Sequence, residues 1–208
     1  MPTPEEITRH HDSEPELVGF VTPPPPETVE IVDPDPAWPE RYRALAGQIR
    51  AALGANVLGL EHVGSTSVPR LAAKDVIDID LTVADPRDEE GYVPLLEPLG
   101  YTLVVREPHW HEHRALRHYA PRANLHVFGP DCPEVIRHRM FRDWLSTHPD
   151  DLALYAEAKR AAIPGGGTVM DYNRRKEAVI REIYDRLFRA AGLLSDPATD
   201  QDGRASIR

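Results

Sequence analysis

A mixed β-sheet with flanking helices and a helical C-terminal part is the α+β fold this sequence predicts, on three observations. Short β-branched runs punctuate residues 57–128, helical patterns fill most of residues 133–191, and 208 residues suit one compact domain with tails. Trp38 to Leu53 puts Tyr42, Leu45, Ile49 and Leu53 on one helical face, and Pro39 fits the first turn, where its missing N–H costs nothing. Val57–Val63 and Val76–Val83 read as strands. Asp88–Leu99 has a helical pattern that Pro94 interrupts and Gly100 ends. Tyr101–Val105, Ala115–Tyr119 and Leu125–Phe128 read as further strands, the last two joined by a hairpin turn over Ala120-Pro121-Arg122-Ala123-Asn124. Pro133–Ser146, Pro149–Ile163 and Val169–Ala191 read as helices, with Pro164-Gly165-Gly166-Gly167 as a flexible joint between the last two.

The flanks differ from the body. Residues 1–28, with Pro23 to Pro26 in a row, predict a disordered or polyproline arm, and residues 193–208 a flexible tail around a domain at 29–192. The chain carries 34 acidic and 24 basic residues, a net charge of −10, so duplex nucleic acid would meet repulsion. Seven acids against Arg9 alone in residues 1–30 supply −6 of this, which leaves the body only mildly acidic. A single cysteine, Cys132, excludes an internal disulfide framework and a multi-cysteine zinc site. No run approaches the ~20 apolar residues of a membrane span, and the N-terminus lacks the pattern of a signal peptide. A cytoplasmic protein without a membrane partner is the expectation.

Chemistry concentrates in Val63-Gly64-Ser65, twelve residues, and then Asp78-Ile79-Asp80. Side chains alternate along a strand, so Asp78 and Asp80 share one face while Ile77, Ile79 and Leu81 take the other. At roughly 5 Å and an effective dielectric near 20, two carboxylates repel by about 3 kcal/mol, which a divalent cation reverses. Mg²⁺, or Mn²⁺, fits oxygen ligands of this kind and is commonly held by one or two carboxylates plus substrate phosphates. Gly64 lets backbone N–H groups approach an anion, and the hydroxyls of Ser65, Thr66 and Ser67 donate further bonds. Lys74 and Arg70 are candidates to neutralise phosphate oxygens. Together these residues point to phosphoryl or nucleotidyl transfer.

A Gly-Ser turn followed by Asp-x-Asp on the next strand resembles the DNA polymerase β-like nucleotidyltransferase superfamily. Within it, Leu60-Glu61-His62-Val63-Gly64-Ser65-Thr66-Ser67-Val68-Pro69, Leu71-Ala72-Ala73-Lys74 and Ile77-Asp78-Ile79-Asp80 resemble the GrpB family. So do Trp38 between Pro36 and Pro39, Asn124-Leu125-His126-Val127, Phe141-Arg142-Asp143-Trp144-Leu145, Tyr155 with Lys159, and Tyr172 with Lys176. The resemblance covers about 29–190. It implies Asp78 and Asp80 as metal ligands, Gly64, Ser65 and Lys74 around nucleotide phosphates, and a nucleoside triphosphate as substrate with an acceptor left open. The family is also known as a domain fused to dephospho-coenzyme A kinase, but the kinase P-loop pattern does not occur here.

The chain departs from the GrpB pattern at Arg70 and Asp75, where Gly and Pro are usual, and from the superfamily at the third acid, where the matching strand offers Asn124 and His126. A neutral imidazole at His126 is a poor Mg²⁺ ligand but a usable base. A non-catalytic nucleotide or phosphate-binding module of the same fold is therefore the alternative. Lys159 and Lys176, each four residues after a tyrosine, either reach phosphate or lie on a packed and solvated helix face. His109-Trp110-His111-Glu112-His113 reads as an exposed loop, with a zinc site of His109, His111 and His113 as the rival. Cys132, at a helix start, would have a lowered pKa if the helix terminus governed it, and would be inert otherwise.

Overall fold

The computed structural model describes residues 1–11, 18–23, 28–163 and 168–195. Its frame is a six-stranded sheet of β1 (Gly19–Phe20), β2 (Gly59–Val63), β3 (Ile77–Thr82), β4 (Tyr101–Glu107), β5 (His113–Tyr119) and β6 (Arg122–Phe128), in spatial order β1-β4-β5-β6-β3-β2. Neighbours run antiparallel except β3 and β6, which are parallel. The α+β expectation holds.

One face of the sheet is apolar because Ile77, Ile79, Leu81, Leu116, Leu125 and Val127 alternate onto it. Helices α2 (Trp38–Leu53) and α3 (Val93–Leu96) cover it: Trp38, Leu45, Ile49 and Leu53 of α2 meet Leu96 and the sheet in one continuous core. Trp38 also donates through Nε1 to Asp75 at 2.8 Å, and Arg41 pairs with the same carboxylate at 2.6 Å, so Asp75 ties α2 to the loop before β3.

The opposite face is polar and is roofed by α4 (Pro133–Thr147), α5 (Pro149–Ala161) and α6 (Val169–Ala190). Val68, Leu71, Leu145, Tyr155 and Ile183 form a second core beneath these helices. No helix among the described residues is long and apolar enough to cross a membrane.

Several boundaries depart from expectation. The helical pattern of 88–99 breaks into 3-10 turns at Glu89–Gly91 and Glu97–Leu99 around the four residues of α3, since Pro94 and Pro98 cannot donate within a longer helix. The hairpin is tighter than predicted, because Arg122, Ala123 and Asn124 already pair in β6 and only the cis Ala120–Pro121 step turns the chain. The N-terminal arm is partly built into the fold. Helix α1 (Pro4–Thr8) carries a capping box from Thr3 and Glu6 and seats Ile7 against Tyr184, Leu187 and Phe188, while β1 extends the sheet beside β4. The proline run at 24–26, the glycine joint at 165–167 and the tail beyond 195 lie outside the described residues.

Candidate active site

A cleft of about 480 Å³ opens between the polar sheet face and the helical roof. Its floor follows from the parallel pairing of β3 with β6, which sets Asp78 beside Asn124 and Asp80 beside His126. Asp78 lines the cleft and accepts a hydrogen bond from Asn124 Nδ2 at 2.8 Å. Asp80 lies deeper, 1% exposed. His138 of α4 covers it, with Nδ1 2.9 Å from Asp80 Oδ2. Burial alone would lower the His138 pKa, yet the charge and hydrogen bond of Asp80, with Glu134 and Asp78 behind them, raise it to about 9. His138 is thus an imidazolium at neutral pH, and it was not singled out from the sequence. The only legible signal was its i, i+4 spacing from Glu134, which many solvated helices share.

Gly64 follows β2 with φ +68°, and a Cβ there would lie 2.2 Å from Asp78 Oδ2. Glycine is therefore required twice, for the left-handed backbone and for the approach of the main chain to the carboxylate. Ser65 joins Gly64 on the cleft wall. Thr66 and Ser67 do not. Thr66 is buried, donates to the Val76 carbonyl and meets His62 Nε2, while Ser67 Oγ donates back to the Gly64 carbonyl. The short 3-10 turn Ser65–Ser67 points these two hydroxyls into its own scaffold. Arg70 also lies outside the cleft, exposed and at φ +66°, which accounts for a glycine in the family pattern at that position.

The three lysines named from sequence converge on the rings of Tyr155 and Tyr172. Lys74 Nζ stands 5.7 Å from the Tyr172 centroid, Lys176 5.0 Å from Tyr172, and Lys159 4.9 Å from Tyr155. Lys159 is 2% exposed and donates to the Ala72 carbonyl. Burial, joined by repulsion from Lys176, Arg160 and Lys74, lowers its pKa to about 7. Burial also lowers Lys74, against the pull of Asp78. The i, i+4 tyrosine–lysine spacing thus turns cations inward rather than to solvent.

His126 stands at the end of a chain. Glu107 Oε2 lies 2.6 Å from His113 Nδ1, and His113 Nε2 lies 3.0 Å from His126 Nδ1. A carboxylate only accepts, so His113 carries its proton on Nδ1. Where His113 Nε2 accepts from His126 Nδ1–H, the His126 Nε2 lone pair is left over. Burial, with His113 adding to it, lowers the His126 pKa to about 4 against the carboxylates of Asp80 and Asp78.

The zinc site of His109, His111 and His113 does not form. His113 is buried in β5 and turned to His126, His109 is exposed, and His111 turns to another side, because φ values of +55° at His111 and +52° at Glu112 twist the segment. Cys132 precedes α4 but is buried, which pushes its thiol up to about 11 and outweighs the hydrogen bonds of the helix start. In the Phe141–Leu145 run, Arg142 donates to the His62 carbonyl and pairs with Glu61, and Trp144 Nε1 donates to Asp151. These residues brace the roof.

Residues 28–186 match the family model described as GrpB protein. A UPF0157 protein of Halalkalibacterium halodurans is 44% identical over 160 residues, which cover 76% of this chain and 82% of that one. A dephospho-CoA kinase of Mycolicibacterium paratuberculosis is 32% identical over 186 residues, covering 76% of this chain and 46% of that protein. The crystal structure of the conserved protein GrpB from Enterococcus faecalis superposes with a TM-score of 0.67 at 27% identity, over 78% of this chain and 99% of that one. A family match spanning three quarters of the sequence, with the Gly64-Ser65 turn and the Asp78–Asp80 strand inside it, shows that the chain belongs to the GrpB family.

Proposed function

We propose that the cleft is a nucleotidyl-transfer site that uses Mg²⁺ or Mn²⁺ to move a nucleotidyl group from a nucleoside triphosphate to an acceptor hydroxyl. The observation that carries this reading is the meeting of Asp78 with the side chains of Lys74, Lys159 and Lys176 around one cleft, with Asp80 buried behind Asp78 on the same strand face. The donor set fits a hard divalent cation: both groups are carboxylates, and Asp80 Oδ1 is buried with no hydrogen-bond partner among the described residues. Asp78 and Asp80 would hold the ion, which supplies polarisation of the phosphorus centre and a clamp on the attacking and leaving oxygens.

The chain's own residues do the rest. The three lysines bind phosphate oxygens, with Lys159 buried and Lys74 and Lys176 half-buried, where a charge counts for more than in solvent. Gly64 and Ser65 offer main-chain N–H groups and a hydroxyl beside Asp78. His126, neutral at pH 7 with Nε2 as its free lone pair, takes the acceptor proton, and His113 with Glu107 holds its tautomer. Asn124, standing beside Asp78, orients that carboxylate by donating to it.

The test is incubation of the full chain with each α-labelled nucleoside triphosphate, Mg²⁺ or Mn²⁺, and a cell extract, beside Asp78→Asn. Asp78→Asn is a cleaner variant than Asp80→Asn, because removing the Asp80 charge leaves the His138 imidazolium buried without its partner. Label transfer by wild type alone supports the enzyme and tags the acceptor. Metal-dependent nucleotide binding without any transfer would replace this reading with that of a binding module.

A further inference from the structure

A second group of ligating side chains lies outside the cleft. His11 of the N-terminal arm, His111 before β5 and Glu134 in the first turn of α4 bring one ligand-type atom each within 4.8 Å of one another. They come from three distant parts of the sequence, so no spacing motif joins them. Each is placed by other contacts. The arm is latched by Arg137 Nη1, which donates to the Ile7 and Arg9 carbonyls at 2.7 and 2.9 Å. Arg181 donates to the His11 carbonyl at 3.2 Å, and His10 meets Asp185 at 3.1 Å. His111 presents its ring edge-on to His11 with centroids 5.4 Å apart. Glu134 is 7% exposed, and Arg137 Nε sits 3.1 Å from its Oε1. Its Oε2 lies 4.0 Å from His138 Nε2, beyond hydrogen-bond reach.

The second observation is an orphan. His111 Nε2 is buried and has no hydrogen-bond partner among the described residues. A buried ring nitrogen left unpaired is costly, and natural structures rarely tolerate it without a reason. His11 and Glu134 bring an imidazole and a carboxylate within 4.8 Å of a ligand-type atom of the same side chain. A metal ion shared by the three would give the ring a partner. Burial lowers the His111 pKa, which keeps its lone pair available. Arg137, paired with Glu134 Oε1, and His138, whose Nε2 lies 4.0 Å from Oε2, both oppose a cation here, so the two imidazoles carry more of its binding.

We propose that His11, His111 and Glu134 bind one divalent transition-metal ion, with zinc best suited to the donor set, and that the ion clips the N-terminal arm to the body. Two imidazoles and one carboxylate are a common zinc set, and a fourth position remains for water. The clip is distinct from the Asp78–Asp80 site but adjoins it. Trp110, next to His111, packs on His113 and Phe128 and lines the cleft, as does Phe20 of β1 in the same arm. Holding the arm therefore holds part of the cleft wall.

The experiment is zinc titration of the chelator-treated full chain by calorimetry, with wild type, His11→Gln, His111→Gln and Asp78→Asn in parallel. One zinc per wild-type chain is expected, with affinity falling by more than about tenfold in His11→Gln and His111→Gln and kept in Asp78→Asn. Zinc should also raise the melting temperature of wild type but not of His11→Gln. Should His111→Gln fail to fold, His11→Gln still decides, since His11 is exposed. Absence of stoichiometric zinc, equal binding by His11→Gln, or loss of binding in Asp78→Asn would each overturn the proposal.

Discussion

Gly64 is the residue on which the candidate site turns. With φ +68° and a Cβ position 2.2 Å from Asp78 Oδ2 and 2.8 Å from Asp78 Cβ, Gly64→Ala must displace the strand that carries the carboxylate. A loss of about 1–3 kcal/mol is expected by urea denaturation, together with loss of metal-dependent nucleotide binding. Arg70 offers the opposite outcome: it stands at φ +66° on the surface, so Arg70→Gly should stabilise by about 1 kcal/mol in the same assay. Lys159 has a pH signature. Its proton is lost near pH 7 in the folded state and near the ordinary 10.5 in the unfolded chain. Between these values the unfolded chain binds more protons, so stability rises with pH by up to about 1.4 kcal/mol per unit from this group. Denaturation at pH about 6 and about 9 should show that rise in wild type and a smaller one in Lys159→Met, while triphosphate affinity falls across pH 7 in wild type only.

At the scale of elements, parallel pairing of β3 with β6 is the decisive contact, because it brings Asn124 and His126 beside Asp78 and Asp80. Period-two alternation in Ile77–Leu81 already separated carboxylates from core residues. Only the family resemblance pointed to the strand of Asn124 and His126 as their neighbour; local pattern did not, since register and neighbour order arise from long-range packing. Helix α4 makes the same point. Its hydrophobic spacing identified a helix, yet the delivery of His138 to Asp80 depends on how α4 packs across β2 and the cleft. Helix α2 carries a simpler prediction. Gly47 is exposed in its interior with no atom within 4 Å of a Cβ position, so Gly47→Ala should raise stability by about 0.5–1 kcal/mol without altering the cleft, as measured by thermal melting.

For the whole molecule, the cleft joins two layers that have separate cores, the sheet with α2 and α3 on one side and α4 to α6 on the other. Asp78 belongs to the first layer, Lys159 and Lys176 to the second. A ligand bridging them stabilises both at once. A triphosphate with Mg²⁺ at 100 times its dissociation constant should add about 2.7 kcal/mol, seen as a rise of several degrees in melting temperature in wild type and a smaller one in Asp78→Asn.

By itself, the sequence determined the fold class, the order of the main helices and strands after the N-terminal arm, the Gly64-Ser65 turn and the carboxylate pair, because each is written in local periodicity and conformational preference. Tertiary structure alone decided that Lys74, Lys159 and Lys176 converge, that Thr66, Ser67 and Arg70 turn away from the cleft, and that His138 caps Asp80. It also carried His111 away from His113 and toward His11 and Glu134. The physical reason is common to all of these. Side-chain direction beyond one's own element depends on packing between distant segments, and that is encoded in the whole core rather than in any spacing.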